Sequence, residues 1–489
     1  MRWKDTMQSS WQEHPVFQIF EEIVKIPRPS KAEEKIAEYL LKMGLELSPN
    51  TVKDEYNNVI ITKEASPGCD HLPPVILQAH MDMVCEKDED SKHDFYQDPI
   101  DLIEEDGWIH ANHTTLGADN GIGLAMALAI AHEDLPLPEL RLIFTSDEEE
   151  GMTGAFGLDP KFLDYPYLIN LDSEEEGFVT GACAGGSSGY FQFDIKRENK
   201  DNLVYYKVRL AHLQGGHSGM EILNVPTNAI KVMRDFLHKL EEKQAYYLCG
   251  LRMGTRHNVI PNEGFVHLAF EASKEKEALD ALKECSSEII TSYLKLEPDI
   301  EILWEKEEQK FEPVDESSKL RILAAIDLLP HGVYAMSEDE TRVLTSNNLA
   351  IVETMENSFQ LVLSVRSSEV EKKNELESKI TTIVQMLKGK GEFKESYPGW
   401  TFREKSLLRD LFIDQYRQLK GVEPEILDIH AGLECACFSH KASHLDMISF
   451  GPDILHAHST KEKLSIQSVI FSYELLRNML KDFSQLAKE

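Results

Sequence analysis

Several short apolar runs of this chain end abruptly in an acidic residue or a histidine, and this pattern constrains the fold more than any other feature. Each run is rich in β-branched and large apolar residues, which indicates a buried β-strand. Segments of helical character lie between the runs. Strands that alternate with helices predict an α/β fold, in which a mostly parallel sheet is covered by helices. The predicted strands are 74–80, 140–145, 167–171 and 447–450.

The residues that follow these strands are candidate ligands. In open parallel sheets ligands bind beyond the carboxyl ends of the strands, so side chains from distant parts of the chain are expected to meet at one edge. A glycine-rich segment, 115–123, opens a predicted apolar helix over 122–132 and adds another acidic residue. The residues expected at this edge are His80, Asp82, Asp119, Glu148, Glu149, Asp172 and His458.

Each of these residues, taken alone, has an ordinary structural explanation. A His-x-Asp motif occurs often by chance. Asp119 or Asn120 can simply cap the following helix, and the acidic run 148–150 can be an exposed turn. The nearby glycines do not fit a phosphate-binding loop. Together, these explanations require several independent coincidences at strand ends, so a functional site is favoured.

The residue types in this set favour divalent cations. Imidazole and carboxylate ligands without thiolate suit Zn²⁺, with Co²⁺ and Mn²⁺ as alternatives. Five ligands are too many for one catalytic zinc, whereas two cations about 3.5–4 Å apart that share a carboxylate accommodate them. We expect Asp119 to bridge the two cations. The other ligands are expected to be His80 and Asp172 on one cation, and Glu149 and His458 on the other.

Two further carboxylates are expected to act beside the cations. Asp82 lies two residues after His80 and is placed to accept its free ring N–H, which fixes the tautomer of the imidazole. Adjacent glutamates cannot face one ion from a regular strand, but in a turn they can take separate roles. Glu148 is the predicted general base, which takes a proton from activated water and returns it to the leaving amine.

Composition excludes other classes of function. A chain of 489 residues with 42% hydrophobic residues predicts two domains. The formal net charge, 51 − 85 = −34, disfavours binding to nucleic acid and to anionic membranes. The N-terminal sequence lacks the apolar run of a signal peptide, and no stretch is long enough to cross a bilayer. Seven dispersed cysteines are typical of reduced thiols, so a cytoplasmic location is expected.

Longer motifs resemble a known family. The resemblance is carried by His80-Met-Asp82, the segment 115–123, Glu148-Glu149-x-Gly, the run from Asn170 to Gly177, Ala-His458-Ser, Gly-Gly-His217-Ser-Gly and His430-Ala-Gly-Leu-Glu434-Cys. These motifs resemble the M20 metallopeptidases, and more narrowly the aminoacyl-histidine dipeptidases (Xaa-His dipeptidase, peptidase D, carnosinase-like). The resemblance extends over nearly the whole chain. It implies zinc-dependent hydrolysis of small dipeptides, preferentially Xaa-His, and the metal-binding roles given above.

The same resemblance implies a cis peptide bond after Asp119 and a homodimer formed through an inserted domain. Two alternatives stay open within the metallohydrolases, an N-acyl-amino-acid deacylase and a broader dipeptidase. A non-catalytic scaffold is disfavoured because the base, Glu148, and every ligand are present. A metal-storage protein is disfavoured because its site would be rich in thiolate.

The middle of the chain has a different pattern, which indicates an inserted α+β lid domain. Alternating runs at 204–213, 265–272 and 359–365 have one polar face, which is typical of antiparallel strands. Helices are predicted at 226–242 and 370–387. The predicted domains are a catalytic domain in two segments, 1–184 and 401–489, and a lid, 185–400. Gly185 and Gly186 are a candidate hinge.

Three residues of the predicted lid are candidate substrate contacts. His217 lies between glycines and could stabilise an oxyanion. Asn258 and Arg366 could bind the C-terminal carboxylate of a peptide, since arginine suits a bidentate contact. The ordinary alternatives are an exposed loop histidine and a surface arginine. Glu434, at a predicted helix start, could bind the substrate's amino group or complement the helix dipole.

Overall fold

The computed structural model describes residues 11–88, 90–225, 227–338 and 340–488. The chain divides into two compact units. Unit 1 contains the residues up to Cys183, Trp400–Asp428 and the residues from Leu433 onward, and unit 2 contains Ala184–Gly399 and Ile429–Gly432. The predicted crossings, after 184 and 400, differ from these by one residue. The prediction wrongly assigned 429–432 to the catalytic domain, whereas Ile429 accepts a hydrogen bond from Ala184 N within unit 2.

The helices and strands follow in chain order. The first part of unit 1 contains α1 (Pro15–Ile23), α2 (Glu34–Leu47), β1 (Thr51–Lys53), β2 (Val59–Lys63), β3 (Val75–His80), β4 (Leu102–Glu105), β5 (Trp108–Ala111), α3 (Ala118–His132), β6 (Leu140–Thr145), α4 (Thr153–Gly157), β7 (Tyr167–Asn170) and β8 (Phe178–Cys183). The middle of the chain contains β9 (Gly185–Asp194), β10 (Leu203–Ala211), β11 (Gly216–His217), α5 (Ala229–Lys243), β12 (Tyr247–Met253), β13 (Val259–Ile260), β14 (Gly264–Glu271), α6 (Glu275–Tyr293), β15 (Glu301–Glu307), α7 (Glu316–Leu328), β16 (Gly332–Met336), β17 (Val343–Thr354), β18 (Ser358–Ser367), α8 (Val370–Met386) and β19 (Lys390–Tyr397). The last part contains α9 (Leu407–Lys420), β20 (Glu425–Ile429), α10 (Glu434–Lys441), β21 (Asp446–Ser449), β22 (Ile454–Leu455), β23 (Lys463–Ser465) and α11 (Ile466–Lys481).

The main sheet of unit 1 has the strand order β1-β2-β6-β3-β7-β21-β8-β20. The strands β6, β3, β7 and β21 are parallel to one another, as predicted, whereas β1, β2 and β8 pair antiparallel to their neighbours. The carboxyl ends of the parallel strands therefore lie at one edge of the sheet. A small antiparallel sheet, β22-β23-β5-β4, completes the strands of this unit.

Both faces of the main sheet are covered. All six residues of β3 are buried, so neither of its faces is exposed to solvent. On one face, Leu77 and Ala79 belong to a core cluster that includes residues of α1, α2, α3, α9 and α11. On the other face, Gln78 contacts Glu434 at the start of α10. This arrangement confirms the predicted α/β class.

Helix α3 is almost entirely buried. Every residue from Asn120 to Ala131 is buried, which explains why this helix is apolar on all sides. It begins earlier than predicted, but Asp119 and Asn120 have non-helical backbone angles, so regular helix begins close to the predicted residue. The peptide bond between Asp119 and Asn120 is cis, as the family resemblance implies.

Unit 2 is built around an antiparallel sheet with the strand order β15-β10-β14-β12-β17-β18-β9-β19, and β16 pairs with β17. Helices α5 to α8 contribute to its separate core. The predicted α+β insertion is thus present, and the helix predicted over 370–387 is observed as Val370–Met386. The helix predicted over 226–242 is observed as Ala229–Lys243, and residue 226 lies outside the described residues.

Among the described residues, no helix combines the length and the apolar character that crossing a bilayer requires.

Candidate metal centre

The carboxyl ends of the parallel strands deliver most of the predicted ligands. His80 is the last residue of β3, Glu148 and Glu149 lie in the turn after β6, and Asp172 lies two residues beyond β7. Two further residues come from connecting segments. Asp119 stands at the start of α3, and His458 lies between β22 and β23. A sheet edge therefore collects side chains that are hundreds of residues apart in the sequence, as the strand pattern predicted.

Asp119 occupies the middle of the cluster. Its Oδ1 lies 3.0 Å from Nε2 of His80, and its Oδ2 lies 3.0 Å from Nε2 of His458. The two oxygens of one carboxylate thus contact two different imidazoles. This is the arrangement expected of a carboxylate that bridges two cations.

The outer members of the cluster divide into two groups around this carboxylate. Oδ1 of Asp172 lies 3.3 Å from Nε2 of His80, whereas Oε2 of Glu149 lies 3.0 Å from Nε2 of His458. Among the described residues, three sets of three ligand atoms are each close enough to hold one ion, and two of these sets contain Asp119. The two sets with Asp119 are His80, Asp119 and Asp172, and Asp119, Glu149 and His458.

Three observations show that the cluster suits divalent cations. Ligands at about 2.0–2.1 Å around a tetrahedral zinc lie roughly 3.3 Å from one another, which is close to the separations seen here. Within the described part of the chain, Oε1 of Glu149 is buried without a hydrogen-bond partner. The side chains of Asp119, Glu149 and Asp172 are at most 11% exposed, and buried carboxylates are costly unless a cation neutralises them.

Asp82 has a wider role in the geometry than predicted. Its Oδ1 lies 3.3 Å from Nδ1 of His80, in the place expected of the group that orients this imidazole. The same carboxylate accepts hydrogen bonds from the backbone N–H of Glu148 at 3.0 Å and of Glu149 at 3.2 Å. The hydroxyl of Ser30 donates a hydrogen bond to Oδ2 of Asp82. Asp82 therefore positions both the histidine and the turn that carries the two glutamates.

Burial and like charges dominate the electrostatics of the carboxylates. Burial raises the pKa of Glu148 well above that of an ordinary glutamate, and Asp172 and Glu149 act in the same direction. Burial also raises the pKa of Glu149 and of Asp172. A carboxylate with a raised pKa holds a proton more readily near neutral pH, as a general acid–base requires.

The two imidazole contacts have the opposite effect on Asp119. Burial acts to raise the pKa of Asp119, but hydrogen bonds from His458 and His80 outweigh it and lower the pKa below its ordinary value. Burial acts to lower the pKa of His458, but its contacts with Asp119 and Glu149 raise the pKa to about 11. Protons and cations therefore compete for these imidazoles, so cation binding is expected to release protons.

The three predicted lid residues all lie in unit 2. His217 belongs to β11, which pairs with β13, and its Nδ1 accepts the backbone N–H of Gly219 and of Met220. The backbone carbonyl of Asn258 accepts Ser218 N at 2.9 Å, which brings Asn258 beside the same loop. Because Nδ1 of His217 accepts hydrogen bonds, the ring proton of the neutral imidazole lies on Nε2, and Nε2–H is its side-chain donor.

Arg366 is a buried residue of β18 rather than a surface charge. It is 7% exposed, and its Nη1 lies 3.1 Å from the hydroxyl of Tyr397. Its Nε has no hydrogen-bond partner within the ranges that the structure describes. An arginine that is held this way keeps donors available for an anionic group.

Comparison with known proteins identifies the family. The sequence pattern of peptidase family M20/M25/M40 matches residues 76–482. The chain belongs to this family. The match confirms the resemblance to the M20 metallopeptidases drawn from the motifs, and it spans all five predicted metal ligands.

Two relatives of this M20 chain are similar over almost their full length. The cytosol non-specific dipeptidase of Escherichia coli (strain K12) is 36% identical over 472 residues, which cover 96% of this chain and 97% of the relative. The crystal structure of aminoacylhistidine dipeptidase from Vibrio alginolyticus is 35% identical, with a TM-score of 0.87 over 98% of this chain and 99% of that one. The aminopeptidase PepT from Bacillus cereus ATCC 10987, at 17% identity and a TM-score of 0.60 over 96% and 98% of the two chains, has a related fold.

The sequence of this M20 chain left the role of Glu434 open between binding the substrate's amino group and complementing the helix dipole. Glu434 is fully buried, and its Oε2 accepts hydrogen bonds from Gln78 at 2.5 Å and from Thr145 at 2.7 Å. Burial raises the pKa of Glu434 to about 8. Gln78 and Thr145 belong to β3 and β6, so Glu434 packs against the two strands whose carboxyl ends lead to His80 and to the turn of Glu148. Gln78 inside an otherwise apolar strand was the sequence signal that a polar partner lies on that face.

A second residue was missed in unit 2 of this M20 chain. His430 is buried, and its Nε2 lies 2.8 Å from Oγ of Ser346, which pairs in register with Arg366. Burial lowers the pKa of His430 to about 3, and the charge of Arg366 acts in the same direction. A neutral imidazole therefore stands beside Arg366. The motif around His430 marked this residue as specific to the family but did not reveal its neighbours.

Proposed function

We propose that this chain is a dipeptidase that uses two divalent cations, with Zn²⁺ as the first expectation, to hydrolyse the peptide bond of short peptides. The observation that carries the proposal is the position of Asp119. Its two carboxylate oxygens each lie 3.0 Å from a different imidazole, with further carboxylates on both sides. Two relatives that this chain matches at 36% and 35% identity over nearly full length are named as dipeptidases, which supports the same reaction class.

The interatomic distances assign the proposed ligands to two cations. His80 and Asp172 would hold one cation, Glu149 and His458 the other, and Asp119 both. When bound, the cations lower the pKa of water and polarise the carbonyl that is to be cleaved. All remaining steps belong to side chains of the protein.

Glu148 is proposed to move the proton. One ligand atom from each of Glu148, His80 and Glu149 lies within 4.8 Å of the other two. The backbone of Glu148 is fixed by Asp82, and its raised pKa suits a group that must accept and then release a proton near neutral pH. Glu148 would take the proton of the attacking water on its carboxylate and pass it to the nitrogen of the leaving amine.

The residues of unit 2 are proposed to bind the ends of the substrate. Arg366 would bind the C-terminal carboxylate through the donors that the protein leaves available, and Asn258 would donate to the same group. His217 would donate its Nε2–H to the oxygen on which charge develops. A homodimer formed through the lid and a cytoplasmic location stay predictions.

The proposal is tested by turnover of a dipeptide panel together with metal analysis. The purified protein is dialysed against a chelator, assayed on Xaa-His dipeptides and on matched dipeptides with another C-terminal residue, and then reconstituted with Zn²⁺, Co²⁺ or Mn²⁺. We expect activity to disappear on chelation and to return at two equivalents of metal. Full activity in protein stripped of metal would overturn the proposal.

The same panel decides the breadth of the substrate range. A strong preference for Xaa-His dipeptides is expected if the Vibrio relative is the better guide, and comparable turnover of all members if the E. coli relative is. N-acetyl amino acids belong in the panel as well. Preferential cleavage of these would instead assign the chain as an N-acyl-amino-acid deacylase.

A further inference from the structure

The carboxylate of Glu462 is aimed at the backbone of the loop that presents Asp119. Its Oε2 accepts the N–H of Leu116 at 2.7 Å and of Gly117 at 2.9 Å. Its Oε1 accepts the N–H of Ala118 at 2.8 Å and of Asp119 at 3.3 Å. One side chain thus satisfies four consecutive backbone donors at the start of the buried helix α3, where no intrahelical acceptor exists for them.

The position of Glu462 in the sequence links two separate ligand segments. It lies four residues after His458, in the turn that Ser459 and Glu462 close through a backbone hydrogen bond. Its hydrogen bonds to the 116–119 loop therefore join the segment of His458 to the segment of Asp119. The alternative of a purely solvated acidic side chain is excluded, because Glu462 is 2% exposed.

Arg28 holds the opposite side of the same loop. It is 1% exposed, and its guanidinium donates to the carbonyls of Gly117, Met81 and Asp82, the last at 2.8 Å. It therefore joins the loop of Asp119 to the segment that follows His80. Burial acts to lower the pKa of Arg28, and the charge of Glu462 opposes this effect, so each buried charge compensates the other.

Gly117 explains why the loop fits between these two charges. Its φ of 70° lies in the left-handed region that favours glycine. A Cβ at this position would lie 2.5 Å from Nη2 of Arg28 and 2.8 Å from Sδ of Met83. The backbone can thus pass close to the guanidinium on one side while it donates to the carboxylate on the other.

We infer that Glu462 is a positioning residue for the proposed metal centre: together with Arg28 it fixes the loop of Asp119 between the segments of His80 and His458, and it thereby sets the affinity of the site for divalent cations. This inference rests on the proposed function, since it concerns the same site. It assigns Glu462 no contact with substrate or cation.

The variant Glu462→Gln tests the inference, because the amide keeps the shape but turns an NH₂ group toward backbone donors. The loss of outer partners of metal ligands typically costs about 10- to 100-fold in metal affinity, and we expect a loss of this size for Zn²⁺ measured by competition with a chromogenic chelator. Excess metal should restore kcat while KM for the dipeptide stays unchanged. In the chelated protein, hydrogen–deuterium exchange of the peptide that contains residues 116–119 should accelerate.

Asp446→Asn provides the matched control. Asp446 is also a buried carboxylate that accepts a backbone N–H at a helix start, from Leu408, and a hydroxyl hydrogen bond, from Ser406. It lies at the amino end of β21, away from the metal ligands, so its variant should lose stability without loss of metal affinity. Glu462→Asp, which keeps the charge but has a shorter reach, should show an intermediate affinity and supplies the comparison if Glu462→Gln does not fold.

The outcomes separate this inference from the proposed function. The positioning role would be overturned if folded Glu462→Gln showed wild-type metal affinity and wild-type exchange of residues 116–119. If Glu462→Gln does not fold, the same result in folded Glu462→Asp would overturn it. Either result would leave the dipeptidase proposal intact. Wild-type protein that binds no divalent cation would overturn both. A metal affinity lowered equally in Asp446→Asn would show a general effect of stability and would also overturn the positioning role.

Discussion

The candidate metal centre of unit 1 and the polar cluster of unit 2 around His217 and Arg366 are built in different ways. In unit 1, parallel strands end at one edge, and the strand ends and the short segments after them present candidate ligands. In unit 2, the cluster combines a β11 residue, buried residues inside antiparallel strands and the returning segment Ile429–Gly432. A site built at strand ends can therefore be predicted from the sequence pattern, whereas a site built from residues within strands cannot.

The largest effect is expected for Glu148→Ala. Removal of a general base should lower kcat by about 10²- to 10⁴-fold, because proton transfer then depends on solvent. Both equivalents of metal should stay bound, since Glu148 is not among the proposed ligands. Metal content by emission spectrometry and steady-state kinetics on one dipeptide measure the two quantities. Retained activity would place the base elsewhere and would weaken the claim that strand ends carry the chemistry.

Asp82→Asn should produce a smaller but broader loss. The variant removes the acceptor for His80 and disturbs the turn of Glu148 and Glu149, so metal affinity should fall about 10- to 100-fold. Chelator competition measures the affinity. Unchanged affinity in this variant would mean that His80 is oriented by other contacts, and the wider role of Asp82 would then be wrong.

Arg366→Lys tests the cluster of unit 2 separately from the metal centre. Lysine keeps the charge but loses the planar donor pair, and hydrogen bonds to charged groups are worth about 1.5–3 kcal/mol, so KM should rise at least about tenfold. Metal content should not change. Arg209→Lys is the control, because Arg209 lies on β10 of the same sheet and is paired with Glu263 at an exposed position. Equal effects of both variants would contradict a substrate contact for Arg366.

The smallest effect concerns the stability of unit 2 in acid. Burial lowers the pKa of His331 to about 4, with Lys231 acting in the same direction, while Asn228 donates to its Nδ1. The unfolded chain binds this proton near pH 6.5 and the folded chain only near pH 4, so stability should fall as pH falls through this window. The slope is at most about 1.4 kcal/mol per pH unit.

His331→Asn should reduce this acid sensitivity, as measured by thermal unfolding at pH 7 and pH 5. The exposed His238 on α5 of the same unit, which pairs with Glu242, provides the control variant His238→Asn. If wild type and His331→Asn lose the same stability between pH 7 and pH 5, groups other than His331 cause the acid sensitivity.

Unit 1 was predicted well because two features of the sequence agreed there, the pattern of the apolar strands and the chemistry of the residues at their ends. The strand at 140–145 was predicted with the observed bounds, since an apolar run ended in a polar turn. The ligand set followed from the chemistry of residues at such ends. The start of α3 was less predictable, because Ala118 to Asn120 read as part of a glycine-rich loop, and the non-helical angles at Asp119 depend on tertiary contacts.

The unpredicted contacts are long-range and involve buried polar groups. Glu434 contacts strands more than 280 residues away, and no local pattern reports such a pairing. In unit 2, the segment Ile429–Gly432 is held by contacts that include a hydrogen bond from Ala184 N to Ile429 O and the contact of His430 with Ser346. A sequence pattern can mark such residues as unusual, but only the folded structure provides their partners.

The strand order of unit 1 has a consequence for biosynthesis. β21 lies between β7 and β8, although more than 260 residues separate it from either in the chain. A nascent polypeptide that has left the ribosome only as far as the lid thus has an open slot in its sheet, with unpaired strand edges on both sides. His458 follows β21 in the chain and therefore leaves the ribosome after it. The candidate ligand set is therefore complete only once the chain has been synthesised as far as His458, so a chain that stops before this residue cannot assemble the cluster.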